Sequence, residues 1–384
     1  MKIGIIDADL LGRKKHRFPN LACMKISGYH KSKGDVVKLV MDYKDIIEYD
    51  KVYMSMVFTD TPYPKEVLVY PNLEYGGTGF FFDKAPNLPY EIEHSFPDYH
   101  LYDDFVNEQL KNGAKRVDFK EYLDYSIGFL TRGCFRKCKF CVNQKYDKVY
   151  EHSPLDEFYD KDRKKICLLD DNFFGCSNWR ELLNELISTG KRFKFKQGLD
   201  ERLLTDEKCK VLCKSKYDGA MTFAFDNVED YGIIEQKLKL LRTHTHTQLR
   251  FYVLCGFDRN NKYDAEFWKK DIENLFKRIE LLIRYNCLPY VMRFNKYAES
   301  PYKGLYITIA RWCNQPSMFK KNSLQEFCEL HKKGSSIYEY LEKYEADCPT
   351  VAKKYYFMKW KSAKKKETNM KLSKKAKTLK EGVK

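Results

Sequence analysis

The hydrophobic positions of this chain fall into two regimes. Up to about residue 110 the pattern is irregular: apolar runs at 2–6 and 51–58, a mixed strand and helix region over 35–49, and turn-rich stretches at 75–79, 88–89 and 96–99. This predicts a small open α/β domain over 1–110. From residue 126 the pattern becomes regular. Short apolar runs at 126–131, 165–170, 193–197, 220–225, 249–255 and 289–294 alternate with stretches of helical periodicity, such as 179–189, 205–215, 229–242 and 265–285. Ser177 and Thr205 stand where N-caps belong. Six strands alternating with helices predict a parallel sheet. Curled, it is a partial (β/α)6 barrel over 120–300, with its site at the C-terminal ends of the strands. Residues 301–352 read as helical, and 353–384 as a Lys-rich tail.

Length and composition refine this picture. A chain of 384 residues accommodates two domains and an appendage, and 43% hydrophobic residues exclude wholesale disorder. The net charge of +16 first suggests a nucleic-acid partner. Its distribution changes that reading: 13 Lys and two Glu in 353–384 supply +11, leaving +5 for the first 352 residues. No apolar run is long enough to span a membrane, and the first residues lack the pattern of a secretion signal. Thirteen cysteines in such a chain argue against a disulfide framework and for a reducing, cytoplasmic setting.

Three of those cysteines carry chemistry. After the run that opens at Ser126, Gly133 turns the chain and Cys134, Cys138 and Cys141 follow at spacing C-x3-C-x2-C. Thiolates so spaced can bind three corners of a 4Fe–4S cluster from one loop, leaving the fourth iron open. A zinc site would need a further ligand nearby, and the next candidate, His152, stands in no zinc spacing. With an aromatic residue, Phe140, before the last cysteine, the motif resembles the radical S-adenosylmethionine (SAM) superfamily. That resemblance implies a partial barrel of the radical SAM type, with SAM chelated at the open iron. It also implies an external one-electron reductant such as flavodoxin or ferredoxin. The implied reaction splits SAM into methionine and a 5′-deoxyadenosyl radical, which takes a hydrogen from substrate.

The other strand ends match the superfamily less tightly. Asp170, Asp171 and Asn172 resemble its "DD-x-F" segment; Asp226 stands where a carboxylate or amide lies near SAM, and Gly256 where a turn passes the adenine. Gln197 and Arg293 end the third and sixth strands. With Phe140 these are the candidate cofactor-binding residues, each also readable as a loop cap or turn former. The remaining ten cysteines read as buried, inert thiols. His244 and His246 read as the start of a surface strand.

The region 1–110 resembles the Rossmann-like cobalamin-binding domain that precedes some radical SAM barrels. Where the wider cobalamin family has D-x-H-x-x-G, this chain has Asp7-Ala8-Asp9-Leu10-Leu11-Gly12, with Asp9 in place of the histidine. Carboxylate suits cobalt less well than imidazole. Cobalamin is possible but not favoured, and a vestigial or substrate-recognition domain is preferred. Gly76, Gly77 and Gly79 suit either a close approach to a ligand or an ordinary turn. The leading expectation is a radical SAM enzyme acting on RNA or protein. The alternatives are a cobalamin-assisted radical methyltransferase and a non-catalytic nucleic-acid-binding protein stapled by metal. The carboxylates Asp170, Asp171 and Asp226 argue against the last, since they would repel phosphates.

Overall fold

The computed structural model describes residues 1–360. The Lys-rich tail expected from 353 lies outside the described residues from 361 on. The chain divides into two units, one of residues 1–197 with 216–218, the other of 198–215 with the chain from 219 onward.

The first unit opens with four parallel strands, β1 (Lys2–Asp7), β2 (Val36–Leu39), β3 (Lys51–Ser55) and β4 (Leu73–Gly76), in the order β2-β1-β3-β4. Strand alternation sends Ile3 and Ile5 to one face, where they pack with Cys23, Met24 and Ile26 of the helix Leu21–Ser32. Ile6, Val52 and Met54 belong to a second apolar cluster with Val40, Ile46 and Val67. With both faces covered, the sheet is of the doubly wound kind, and its order reverses at β1 and β3.

Strand β4 takes in Tyr75 and Gly76 of the stretch 75–79, which the sequence marks as turn-rich. Leu-Glu-Tyr-Gly is a poor strand sequence by itself, but parallel pairing with β3 holds it. The glycines that follow are required by their own chain. Gly77 sits at φ +104°, and a Cβ there would lie 2.3 Å from the Met56 carbonyl oxygen. The Gly79 N–H donates to that same oxygen (2.8 Å). Gly77→Ala is therefore expected to lose roughly 1–3 kcal/mol, readable as a lower urea midpoint.

The same unit continues with β5 (Tyr125–Gly128), β6 (Thr131–Arg132), β7 (Tyr150–Glu151), β8 (Lys165–Leu168) and β9 (Arg192–Phe195). Strands β5, β8 and β9 form a parallel sheet in register Tyr125–Lys165–Arg192. On one face Tyr125, Ile127 and Cys167 pack with Leu21 and with half-buried Phe18. The short antiparallel pair β6–β7 closes the base of the long loop that carries the three cysteines.

The second unit holds β10 (Thr222–Ala224), β11 (Leu249–Cys255) and β12 (Cys287–Arg293), again parallel, in chain order. The 20-residue helix Ala265–Arg284 packs on β11 and β12, burying Ile272, Leu275, Ile279 and Leu282. Beyond 300 the described chain is helical. Thr205 caps its helix as expected, accepting from the Lys208 N–H (3.3 Å), whereas Asn178, not Ser177, precedes the helix Trp179–Ser188. His244 does not start a strand. It ends the helix Tyr231–His244, where its ring pairs with Asp206 (2.7 Å). Among the described residues no helix is long and apolar enough to cross a membrane.

Candidate metal centre and the strand-end residues

The cysteine loop is held from the end of β8 by three consecutive side chains. Asp170 is buried, and its carboxylate accepts from the Leu130 N–H (3.3 Å) and from the N–H and hydroxyl of Thr131 (both 2.7 Å). This fixes the turn between β5 and β6. Asp171 spans the loop itself: it accepts from the Gly133 N–H (2.8 Å), just before Cys134, and from the Asn143 amide (2.8 Å), just after Cys141. Asn172 donates to the Cys134 sulfur (3.4 Å), and its carbonyl oxygen is buried without a hydrogen-bond partner among the described residues. A buried acceptor left open is costly in a folded protein unless a ligand completes it.

Gly133 makes this geometry possible. It takes φ +91°, and a Cβ would meet the Lys148 carbonyl oxygen at 2.4 Å. Downstream, Cys134, Cys138 and Cys141 are half-buried. The Arg136 N–H points at the Cys134 sulfur (3.4 Å) and the Asn143 N–H at the Cys141 sulfur (3.5 Å). N–H donors aimed at sulfur stabilise thiolate and tune a cluster bound to it. Burial pushes the Cys141 thiol up to about 11, so a metal must displace its proton. Among the described residues no three His, Cys, Asp or Glu side chains are gathered as they would be on a single metal ion. The donor set suits a group that takes one thiolate on each of three irons. Phe140 lies half-buried on this loop, and His152 is engaged elsewhere, beside Glu93 (3.3 Å) and stacked on His94.

Asp170 has its oxygens occupied by backbone and Thr131, and burial pushes its pKa up to about 7. It shapes the loop. Gln197 is exposed two residues past the end of β9.

The other candidates belong to the second unit. Asp226 follows β10 and accepts from the Leu254 N–H (3.2 Å); burial raises its pKa to about 6 against the pull of Arg278. Arg278, from the middle of the long helix, was not legible as a site residue. It is buried and donates to the carbonyls of Phe225 (3.0 Å), Asp226 (2.8 Å) and Leu254 (2.7 Å), tying together the ends of β10 and β11. The Gly256 N–H donates to Asp271 (2.7 Å), which also accepts from the Tyr306 hydroxyl (2.7 Å). Arg293 ends β12 with its guanidinium over the Tyr297 ring (4.5 Å).

At the end of β1, Asp9 is fully buried. Its carboxylate accepts from the N–H groups of Val57 (2.6 Å) and Phe58 (3.4 Å) and from the Thr61 hydroxyl. The residue standing where a cobalt-binding histidine would be is therefore spent on closing the loop after β3.

Fold and site define an α/β protein of parallel sheets with a three-cysteine loop clasped at the carboxyl end of a strand. No protein-family model matches the chain, and neither does any curated protein. Among solved structures it is similar to the cobalamin-dependent S-adenosylmethionine radical enzyme OxsB, determined with aqua-cobalamin and S-adenosylmethionine bound, at 14% identity and a TM-score of 0.46. The match covers 88% of this chain and 57% of that one, so this chain spans less than two thirds of its length.

Proposed function

We propose that this protein is a radical SAM enzyme whose Cys134, Cys138 and Cys141 hold one 4Fe–4S cluster. The observation that carries the proposal is the clasp. A loop with three cysteines is fixed by Asp170, Asp171 and Asn172, with N–H groups already directed at two of the sulfurs. In this reading β5 and β8 to β12 are the six strands of a partial (β/α) barrel. When bound and reduced by an external one-electron donor, the cluster supplies the electron that cleaves SAM into methionine and a 5′-deoxyadenosyl radical.

The chain's own residues prepare that event. Asp171 holds both ends of the loop that carries the three sulfurs. Asn172 offers its open carbonyl oxygen to an N–H or O–H of the cofactor beside Cys134. Asp226, Gly256 and Arg293, at the ends of their strands, are assigned to SAM or substrate. The substrate is RNA or a protein. This reading does not favour cobalamin, since the Asp9 carboxylate already accepts three hydrogen bonds from the loop after β3.

Anaerobic reconstitution tests the proposal. About four irons per chain are expected, with a broad charge-transfer absorption that dithionite bleaches. Adding SAM to the reduced protein should release methionine and 5′-deoxyadenosine. A fully loaded, reduced protein that forms no 5′-deoxyadenosine would overturn the radical reading and leave a structural cluster.

A further inference from the structure

The loop 13–18 in the first unit reads Arg-Lys-Lys-His-Arg-Phe, a basic run closed by an aromatic residue. It leaves the end of β1 after the turn Ala8–Gly12 and leads into the helix Leu21–Ser32, which Asn20 caps. Two cation–ring pairs bracket it. At one end the Arg13 guanidinium lies over the Phe58 ring, 4.5 Å from its centroid, held there by Asp60 (2.7 Å). The His16 ring meets the same phenyl edge-on at 6.1 Å, yet Phe58 remains 43% exposed. At the other end exposed Lys196, just past β9, places its ammonium 4.7 Å from the centroid of the Phe18 ring.

The basic residues of this loop divide by task. Arg17 is folded back onto the carbonyls of Lys14 (3.3 Å) and His16 (2.6 Å) and over Phe119, so it shapes the loop. Arg13 is matched by Asp60 and stiffens the Phe58 platform. Lys14 and Lys15 are exposed and make no ion pair among the described residues. What remains is two solvated cations between two aromatic rings, at the carboxyl ends of β1 and β9. An apolar peptide would be met by an apolar groove. This arrangement instead offers charge for a backbone and ring faces for flat groups, the two features by which single strands of nucleic acid are held.

We propose that the loop 13–18, with Phe58 and Lys196, binds single-stranded nucleic acid, Lys14 and Lys15 contacting phosphates and Phe58 stacking on a base. As a substrate class this rests on the radical reading, but the binding itself needs neither cluster nor SAM, so the two can fail separately.

The test is fluorescence anisotropy with labelled RNA and DNA single strands of the same sequence, about a dozen nucleotides long. Each is titrated over a salt series into the full chain, Lys14→Ala/Lys15→Ala and Phe58→Ala. The tail is common to all three and cancels in the comparison. The double variant should lower the magnitude of the slope of log affinity against log salt by about 1.4, about 0.7 for each lost phosphate contact. Phe58→Ala should weaken binding about five-fold or more with the slope unchanged. Iron content and circular dichroism equal to the parent protein's show that the variants fold. Whichever of RNA and DNA responds in this way names the strand. Affinities and slopes unchanged in both variants, no binding by the full chain, or tighter binding of a polyglutamate peptide would each overturn the proposal.

Discussion

Cys134→Ala, Cys138→Ala and Cys141→Ala, reconstituted anaerobically, are each expected to lose the charge-transfer absorption and to release 5′-deoxyadenosine only at background. In the proposed reading the loop would provide one thiolate to each of three irons, so none of the three could substitute for another. Alanine at Cys209 or Cys213, one helical turn apart in the helix Asp206–Lys214, should leave iron content unchanged, because no other cysteine stands near them in a ligand spacing. Asp171→Ala belongs between these extremes. It frees both Gly133 and Asn143, so the loop loses its preformed shape while keeping its three sulfurs. Iron should still bind, but dissociate faster to a chelator. Full iron in all three cysteine variants would show that the ligands lie elsewhere.

Much of this arrangement was legible in the sequence, for identifiable reasons. The six regular strands announced themselves because buried parallel strands are short apolar runs bounded by polar helices; β11 even shows strict alternation of buried and half-buried positions. Strand β4 was hidden because its sequence runs into glycines, and its pairing with β3 is a tertiary fact. The thiolate spacing is local and therefore readable. What Asp170 does is not, because the groups it binds lie 39 and 40 residues earlier in the chain. Arg278 illustrates the limit best. An arginine within an amphipathic helix reads as surface charge, and only the folded chain brings three strand-end carbonyls to it. Likewise the substitution at Asp9 was visible, but not that its carboxylate closes the loop after β3.

The four-stranded sheet carries a second group whose behaviour is expected to be large and measurable. Asp7, at the end of β1, is buried, and burial pushes its pKa up to about 7 despite hydrogen bonds from the Tyr102 hydroxyl (2.9 Å) and the Leu10 N–H (3.1 Å). In the unfolded chain the same carboxyl titrates near 3.9. Between those values the folded protein holds a proton that the unfolded chain has released. The group's contribution to stability therefore falls as pH rises from about 4 and is fully lost above about 7. Asparagine has the shape of the protonated acid. Its oxygen can accept from Leu10 while its amide donates to the Tyr102 oxygen, which already accepts from the Asn20 N–H (3.1 Å). Asp7→Asn should accordingly be more stable than the parent protein, and its margin should grow by about 2 kcal/mol between pH 5.5 and pH 8. Anaerobic urea unfolding at the two pH values measures this directly. A variant less stable than the parent by the same margin at both would mean that Asp7 is ionised in the folded state and serves chiefly as the cap of the turn Ala8–Gly12.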